Sequence, residues 1–423
     1  MKILVLSQCW YPENGVHQRR WTWLSKILID AGHHVTAVVP PPHYPGGQLL
    51  SGWEKSTVEY GAAGERILRT SFFPHSEKLV SRALDQAVVS STSVTTALLT
   101  FLNRNVEKPD LIIGTVPSLP TAIVTRLIAK ALGVPYVIDL RDAWPDLLKY
   151  SDRWDESLRV RGGGTSNLKF RAGSLVAKVT SDQILGSLQN ASGIIVTTDS
   201  LREHLLNSSV HTTLPPSHVA TVRNVFPHIL PEVKPPLIPE ENTLRVVYAG
   251  TLGRAQNLRS TIRAARLLQD ESKHIHFRFI GGGAAKKRLQ AAAEDGNINA
   301  EFLSRVSPEE LSSHYAWADT ALVNLASWDP MSLTVPSKLY ELMALGHHIS
   351  GGINGEPADI VSSLGAGHVA NADDPKGLAE IWSRIIDDRS LLSVDSRGGD
   401  WVETQRNSIA PAQFLALVEN VLS

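Results

Sequence analysis

The sequence predicts two doubly wound α/β domains joined by a stiff linker. Three observations carry that prediction. Short apolar runs alternate with amphipathic helical runs through the first half of the chain. At 226–243 the texture changes to FPHILPEVKPPLIPEENT, a stretch with five prolines. Proline lacks an N–H and fixes φ, so this stretch can build neither a central strand nor a helix interior. Beyond it the same alternation starts again. The boundaries read 1–225 for the first domain, 226–243 for the linker and 244–404 for the second domain, with a last helix within 405–423 that packs back on the first.

In the first domain KILVLS (2–7) is a buried strand. The helical run WTWLSKILIDAG follows, with Trp21, Leu24 and Leu28 on one stripe and Gly32 after it. HVTAVV (34–39), DLIIGT (110–115) and PYVIDL (135–140) are further apolar strands, the last two separated by the helical TAIVTRLIAKALG. ASGIIVTT (191–198) is a strand that leads to a helix start at Asp199 or Ser200. Strands alternating with helices imply βαβ units and a parallel sheet covered on both faces.

In the second domain LRVVYAG (244–250), HFRFIGGG (276–283), INAEFLS (298–304) and TALVNL (320–325) read as strands. LRSTIRAARLLQD and AAKKRLQAAAED read as helices between them. SPEELSSHYAWA opens with Ser307 and Glu310 at capping-box spacing. TVPSKLYELMALGHHI (334–349) predicts a helix capped by Ser337, stopped by Gly346, with Leu339, Leu342, Met343 and Leu345 on its buried face. HHISGGI and AGHVAN close the series, and PAQFLALVENVL (411–422) is the last apolar-striped helix.

Bulk properties exclude several classes. The chain has 423 residues, 43% hydrophobic and 20% charged, with a formal net charge of −1. That is an ordinary globular composition with no global attraction to nucleic acid. No run approaches the ~18 apolar residues of a membrane span, and the apolar start is too short for a signal peptide. A peripheral membrane role remains open. The single cysteine, Cys9, forms no internal disulfide; it reads as an inert buried thiol and fits a reducing cytosol. The glycine-rich stretch RVRGGGTSNLKFRAG carries Arg159, Arg161, Lys169 and Arg171. It is either a solvated loop or, through 159–171, a patch for anionic lipid or a pyrophosphate-bearing acceptor.

Cofactor and metal signatures are weak. FIGGG supplies Gly281 and Gly283 of a dinucleotide fingerprint but has Lys286 at the third glycine position. The pairs His33–His34, His274–His276 and His347–His348 lack ligand partners at metal spacing, so no metal is expected. What remains is a set of strand-to-helix turns suited to anions: Gly15 after the first strand, GTLGRAQN (250–257) with Arg254, and Ser337–Lys338. A glycine lets backbone N–H groups approach an anion, and helix N-termini favour negative charge. Converging, these turns would suit a diphosphate. Glu341, one turn into its helix, can accept two vicinal sugar hydroxyls. The competing reading makes Lys338 and Glu341 a surface ion pair of a few tenths of a kcal/mol (about 0.2–0.5).

The segments YPENGVHQRRWTWLSKILIDAGHHVTAVV, VIDLRDAWPD, VRNVF, VVYAGTLGRAQNL, FRFIGGGAAKKRL and TVPSKLYELMALGHHISGGINGEPADIV occur in an order that resembles glycosyltransferase family 4. These are retaining nucleotide-sugar transferases of the GT-B fold, with two Rossmann-like domains facing across a cleft. The nearest likeness is to bacterial capsule, O-antigen and exopolysaccharide sugar transferases. The resemblance implies a cytoplasmic enzyme, peripheral on the membrane at most, that moves a sugar from a UDP- or GDP-sugar to a glycan or lipid-linked acceptor. It implies no cofactor, metal or nucleic-acid partner. Its donor residues would be Gly15, Gly250, Thr251, Arg254, Asn257, Gly281, Gly282, Ser337, Lys338, Leu339 and Glu341. Arg254 and Lys338 would neutralise the diphosphate, and Glu341 would bind the ribose. The acceptor would meet His17, Arg141, Asp142 and Trp144. Asp142 either orients the acceptor or makes a structural hydrogen bond at a strand end.

The chain departs from the family at Leu333, eight positions before Glu341, where the E-x7-E motif has its first carboxylate. Thr251 and Gln256 replace a common Arg and Lys, and Asn224-Val225-Phe226-Pro227 replaces Asn-Gly-Val-Asp. Two other classes stay open on these residues: an isomerase of the UDP-N-acetylglucosamine 2-epimerase type, and a non-catalytic assembly partner.

Overall fold

The computed structural model describes residues 1–13, 15–44, 46–54, 56, 59–76, 79–154, 167–227 and 242–423, with side chains described outside 79–80, 151–154 and 167–176. The chain divides into two compact units. Unit 1 comprises Met1–Pro227 and Ser408–Ser423, and unit 2 comprises His228–Asn407. The proline-rich residues 228–241 and the basic residues 159–166 lie outside the described residues.

Unit 1 holds the strands β1 (Lys2–Leu6), β2 (His34–Val39), β3 (Glu59–Tyr60), β4 (Arg66–Arg69), β5 (Leu111–Val116), β6 (Tyr136–Leu140), β7 (Gly193–Val196) and β8 (Val219–Thr221). Their order across the sheet is β3-β4-β2-β1-β5-β6-β7-β8. Every pairing is parallel except β3 with β4. Helices α1 (Val16–Asp30), α2 (Leu79–Phe101), α3 (Leu119–Leu132), α4 (Asn167–Gln189) and α5 (Asp199–Leu206) connect them. The apolar strands are buried on both faces, as parallel sheets require: β5 and β6 are buried at every position. Trp21, Leu24 and Leu28 of α1 are fully buried, as the stripe predicts. The helix begins earlier than the WTWL run, at Val16 directly after Gly15.

A buried ion pair ties α1 to the sheet. Arg20 donates to Asp139 from Nε (3.3 Å) and Nη2 (2.8 Å), and both side chains are fully buried. Arg20 Nη1 donates to the Val222 carbonyl and to Asn224 Oδ1, while Thr115 donates to Asp139 Oδ2. The QRRW, VIDLRD and VRNVF segments thus meet in one satisfied network, which is what makes such a pair tolerable in a core.

Unit 2 holds β9 (Thr243–Ala249), β10 (His274–Ile280), β11 (Asn299–Leu303), β12 (Thr320–Asn324), β13 (Ile349–Gly352) and β14 (Gly367–Ala370). They form one sheet ordered β11-β10-β9-β12-β13-β14, parallel throughout. The order reverses beside β9, the topological switch of a doubly wound fold. Helices α6 (Arg259–Gln269), α7 (Lys286–Asp295), α8 (Pro308–Trp317), α9 (Ser337–Ala344), α10 (Glu356–Ser363), α11 (Pro375–Asp387) and α12 (Arg397–Thr404) complete it. The core gathers Phe277, Phe279 and Trp382 with the apolar faces of α6 and α11. The capping box of α8 forms with both hydrogen bonds, Glu310 N–H to Ser307 Oγ and Ser307 N–H to the Glu310 carboxylate.

After α12 the chain passes through a π-helical turn, Gln405–Ile409, into α13 (Ala410–Leu422). Ala410, Phe414, Leu417 and Val418 of α13 are buried. Leu417 and Val421 pack over Gly193 of β7, and Asn420 donates to the Ser217 carbonyl beside β8. Among the described residues no helix is long and apolar enough to cross a membrane.

Candidate active site

In unit 2 the site begins with the turns that follow β9 and β10. Gly250, Gly281 and Gly283 all have positive φ (148°, 135° and 153°). A Cβ on Gly281 would lie 2.0 Å from the Gly250 carbonyl oxygen, and one on Gly283 would lie 2.4 Å from that of Leu252. The two turns therefore pack backbone against backbone, which only glycine permits. The N–H of Gly250 donates to Ile280 and that of Gly281 to Leu303. These two glycines hold the turns together rather than offering N–H groups to an anion. Gly282 faces open space.

Lys338 projects over this turn from the first turn of α9. Its Nζ sits 3.5 Å above the centroid of the Tyr248 ring and 3.2 Å from where a Cβ on Gly250 would be. The ammonium is buried and, among the described residues, has no hydrogen-bond partner. Burial drives its pKa from 10.5 down to about 7, opposed by the charge of Glu341. The Tyr248 hydroxyl is turned away, donating to the Thr251 carbonyl. Arg254 lies half-buried in the turn between β9 and α6, and no partner for its guanidinium is found among the described residues.

Helix α9 differs from the expectation at its start. Pro336, not Ser337, is the N-cap, and no side chain caps the helix. The Pro336 carbonyl takes the Leu339 N–H at 2.9 Å, so Ser337 is drawn into the first turn and cannot act as the cap. Leu339 is fully buried with its N–H thus occupied; it is a core residue, not a donor contact. Gly346 does end the run with φ 62°. Tyr340 stacks on Trp401 of α12, and Glu341 is 8% exposed.

The Asn257 side chain is engaged within unit 2. Its amide donates to Asp373 Oδ1 at 2.5 Å, and Asp373 Oδ2 accepts from the N–H and hydroxyl of Ser327. Asn324, at the end of β12, donates to the Gln256 carbonyl at 2.6 Å. These bonds fasten the turn after β9 to the segment after β12. That segment walls a cavity of about 200 Å³ lined by Ser327, Trp328, Asp329, Met331, Ser332 and Asn354, at the carboxyl ends of β12 and β13. Sequence reasoning missed this cavity and the Asn257–Asp373–Ser327 links that shape it.

In unit 1 the structure brings His17, in the first turn of α1, against Arg141, directly after β6. Arg141 Nη1 contacts His17 Nδ1. Burial and the Arg141 charge hold His17 well below its usual pKa, so it is neutral. Burial raises the Asp142 pKa, against the pull of the Arg141 charge. Both predicted roles of Asp142 survive in that geometry. Gly15 is the N-cap of α1, where a Cβ would press on the Tyr44 ring at 3.2 Å.

Glu13 is an unpredicted organiser of this region. It is 3% exposed and accepts the N–H groups of Trp10, His43 and Tyr44. Burial raises its pKa in spite of those bonds. Cys9 is likewise pushed well up, by burial first and by Glu13, which fits an unreactive thiol.

Two of the predicted histidine pairs make side-chain contacts inside unit 2. His348 bonds Thr320 Oγ1 and His368 Nδ1, and burial lowers its pKa to about 3. His276 pairs with Glu301. The structure does assemble two His–His–Asp groups that no spacing suggested: His43, His75 and Asp85, and Asp146, His204 and His211.

Residues 15–224 match the glycosyl transferase 4-like domain, and residues 231–397 match the glycosyl transferases group 1 family. The chain is a family 4-like glycosyltransferase. Its two Rossmann-like units are those of the GT-B fold. WcaI of Escherichia coli (strain K12), named as a glycosyl transferase of colanic acid biosynthesis, is 26% identical over 355 residues, covering 82% of each chain. Sucrose-phosphate synthase of Thermosynechococcus elongatus superposes with a TM-score of 0.67 at 16% identity, covering 99% of this glycosyltransferase and 98% of that chain. Anabaena HepE in complex with UDP-glucose superposes with a TM-score of 0.60 at 12% identity, over 99% and 98% of the two chains. Membership of these families favours transfer over the isomerase and assembly-partner readings.

Proposed function

We propose that this glycosyltransferase takes its sugar from a nucleoside-diphosphate sugar, UDP- or GDP-linked, and passes it with retention to a glycan or lipid-linked acceptor of a cell-surface polysaccharide. One observation carries the donor assignment: the buried Lys338 ammonium over Tyr248 and Gly250, which has no acceptor among the described residues. Burying a cation without an acceptor is costly. An arriving diphosphate supplies the missing acceptor, with Arg254 as a second cation. The UDP-glucose bound to HepE supports the ligand class, and the name of WcaI supports the pathway class.

In the proposed reaction the bond between the anomeric carbon and the β-phosphate oxygen breaks. The acceptor hydroxyl oxygen forms the new bond on the same face, and its proton passes to the departing phosphate oxygen. The leaving nucleoside diphosphate gains negative charge, and preorganised cations stabilise it as it forms. Lys338 and Arg254 do this without a metal ion in the transfer step. Glu341 takes the ribose hydroxyls, and His17, Arg141, Asp142 and Trp144 meet the acceptor. With Leu333 where a carboxylate is common, the donor sugar is held without that group.

The test is a thermal-shift screen of the full chain against nucleotides and nucleotide sugars. Saturating UDP or GDP is expected to raise the melting temperature, since a ligand at 100 times Kd stabilises by about 2.7 kcal/mol. Lys338→Ala and Glu341→Ala are each expected to weaken binding at least tenfold. No shift with any nucleotide, or full affinity in both variants, overturns the assignment.

A further inference from the structure

The group formed by His43, His75 and Asp85 in unit 1 has no part in the reaction proposed above. It joins three segments: the turn after β2, the turn after β4 and the first half of α2. Asp85 is 1% exposed and His43 4%. Among the described residues no lysine or arginine pairs with Asp85. Its Oδ1 accepts the Phe73 N–H at 3.0 Å, and its Oδ2 accepts the Gln8 side-chain amide at 3.0 Å.

The hydrogen bonds on the far side of each imidazole decide where the lone pairs point. His43 Nδ1 lies 2.8 Å from the Pro41 carbonyl oxygen, and His75 Nδ1 lies 3.1 Å from that of Ser76. A carbonyl only accepts, so both Nδ1 atoms carry hydrogen, and in the neutral rings both Nε2 atoms present lone pairs. Those two Nε2 atoms lie 3.5 Å and 3.8 Å from the same oxygen, Asp85 Oδ2. With both rings neutral, two imidazole lone pairs and a carboxylate oxygen converge in a buried place. The arrangement calls for a positive charge, which either a proton shared between His43 and Asp85 or a metal ion supplies. Backbone carbonyls holding Nδ1–H are also what orients histidine as a metal ligand.

The approach of His75 is built in. It depends on Gly47, with φ 70°, where a Cβ would lie 2.5 Å from His75 Nδ1 and 2.4 Å from its carbonyl oxygen. The His75 N–H in turn donates to the Gly47 carbonyl at 2.8 Å. The second His–His–Asp group lacks these features. Lys149 already places an ammonium 2.5 Å from Asp146, and His204 is bonded to the other carboxylate oxygen at 2.7 Å.

We propose that His43, His75 and Asp85 form a site for one divalent transition-metal ion of the zinc class. Two imidazole nitrogens and a carboxylate oxygen within 4.8 Å of one another suit that class and its short bonds. The ion fastens the turns after β2 and β4 to α2. It is a clip for unit 1 and takes no part in sugar transfer.

The experiment uses the full chain without a purification tag, stripped with a strong chelator and reloaded with zinc or cobalt(II). One equivalent of metal is expected to survive gel filtration, the cobalt protein is expected to show the visible absorption of a low-coordinate site, and the melting temperature should rise on loading. His75→Gln and Asp85→Asn should each lose that equivalent, while His204→Gln should keep it. Metal that does not survive gel filtration, or metal kept by both His75→Gln and Asp85→Asn, overturns the proposal and leaves a proton-bridged His–Asp–His group. Should those variants fail to fold, the wild-type cobalt spectrum decides alone: its absence overturns the site.

Discussion

Lys338 combines the two properties a switchable anion site needs, a buried ammonium and a proton held loosely. Its ordinary pKa of 10.5 is lowered to about 7 by burial. Between those values the unfolded chain binds the proton more tightly than the folded one. Stability contributed by this residue therefore rises with pH from about 7 to about 10, by up to roughly 1 kcal/mol per pH unit. Lys338→Met is expected to flatten that rise and to increase the melting temperature at pH 7, while weakening donor binding. Urea midpoints of the two proteins across that pH range measure the first effect. A bound diphosphate raises the pKa again, so nucleotide binding above pH 7 is expected to take up a proton. Calorimetry in buffers of different ionisation heat reads that uptake directly. A pH-independent difference between wild type and Lys338→Met would contradict the assignment. Lys338 was visible in the sequence because a local pattern, strand then proline then helix start, placed it. Asp85 and Glu13 were not. Their partners are backbone groups and histidines from distant turns, and no spacing along the chain encodes those meetings.

At the scale of elements, the turns after β9 and β10 set the floor on which Lys338 rests. A Cβ on Gly281 would lie 2.0 Å from the Gly250 carbonyl oxygen, closer than any side chain can come, and its φ of 135° disfavours one independently. Gly281→Ala is expected to cost about 2 kcal/mol or more and to remove nucleotide binding by pushing the Gly250 turn away. Chemical denaturation and a nucleotide titration check the two parts. The same substitution at Gly282, which faces open space, is expected to leave stability within about 0.5 kcal/mol of wild type. The sequence marked FIGGG as a weak dinucleotide fingerprint and, through the family resemblance, Gly281 and Gly282 as donor contacts. Its glycines have a different use here, which depends on the neighbouring strand. Helix α2 shows the opposite failure. Its run Val88-Val89-Ser90-Ser91-Thr92 is poor in helix formers, and packing along α3 and β2 overrides that local preference. The strands were legible almost throughout, most plainly those such as β5 and β6 whose burial at every position makes them continuous apolar runs. The exceptions, β3, β4 and β8, have between two and four residues each.

At the scale of the whole molecule, the chain ends inside the unit in which it began. Helix α13 follows α12 of unit 2 through one π turn, yet its buried face belongs to unit 1. Phe414 is fully buried in that face. Phe414→Ala removes a large side chain from a packed site, and such cavities cost about 3–5 kcal/mol. Because the loss falls on unit 1, the transition that involves β7 and β8 is expected to move to lower temperature or denaturant. Nucleotide binding, assigned to unit 2, is expected to persist in the folded fraction. Hydrogen exchange resolved by segment separates the two: protection should fall over 193–221 and 410–422 and stay near wild type over 243–280. If exchange instead accelerated uniformly across 243–404, the stability of unit 2 would depend on α13. The assignment of the last sixteen residues, 408–423, to unit 1 alone would then fail as a description of the folding units.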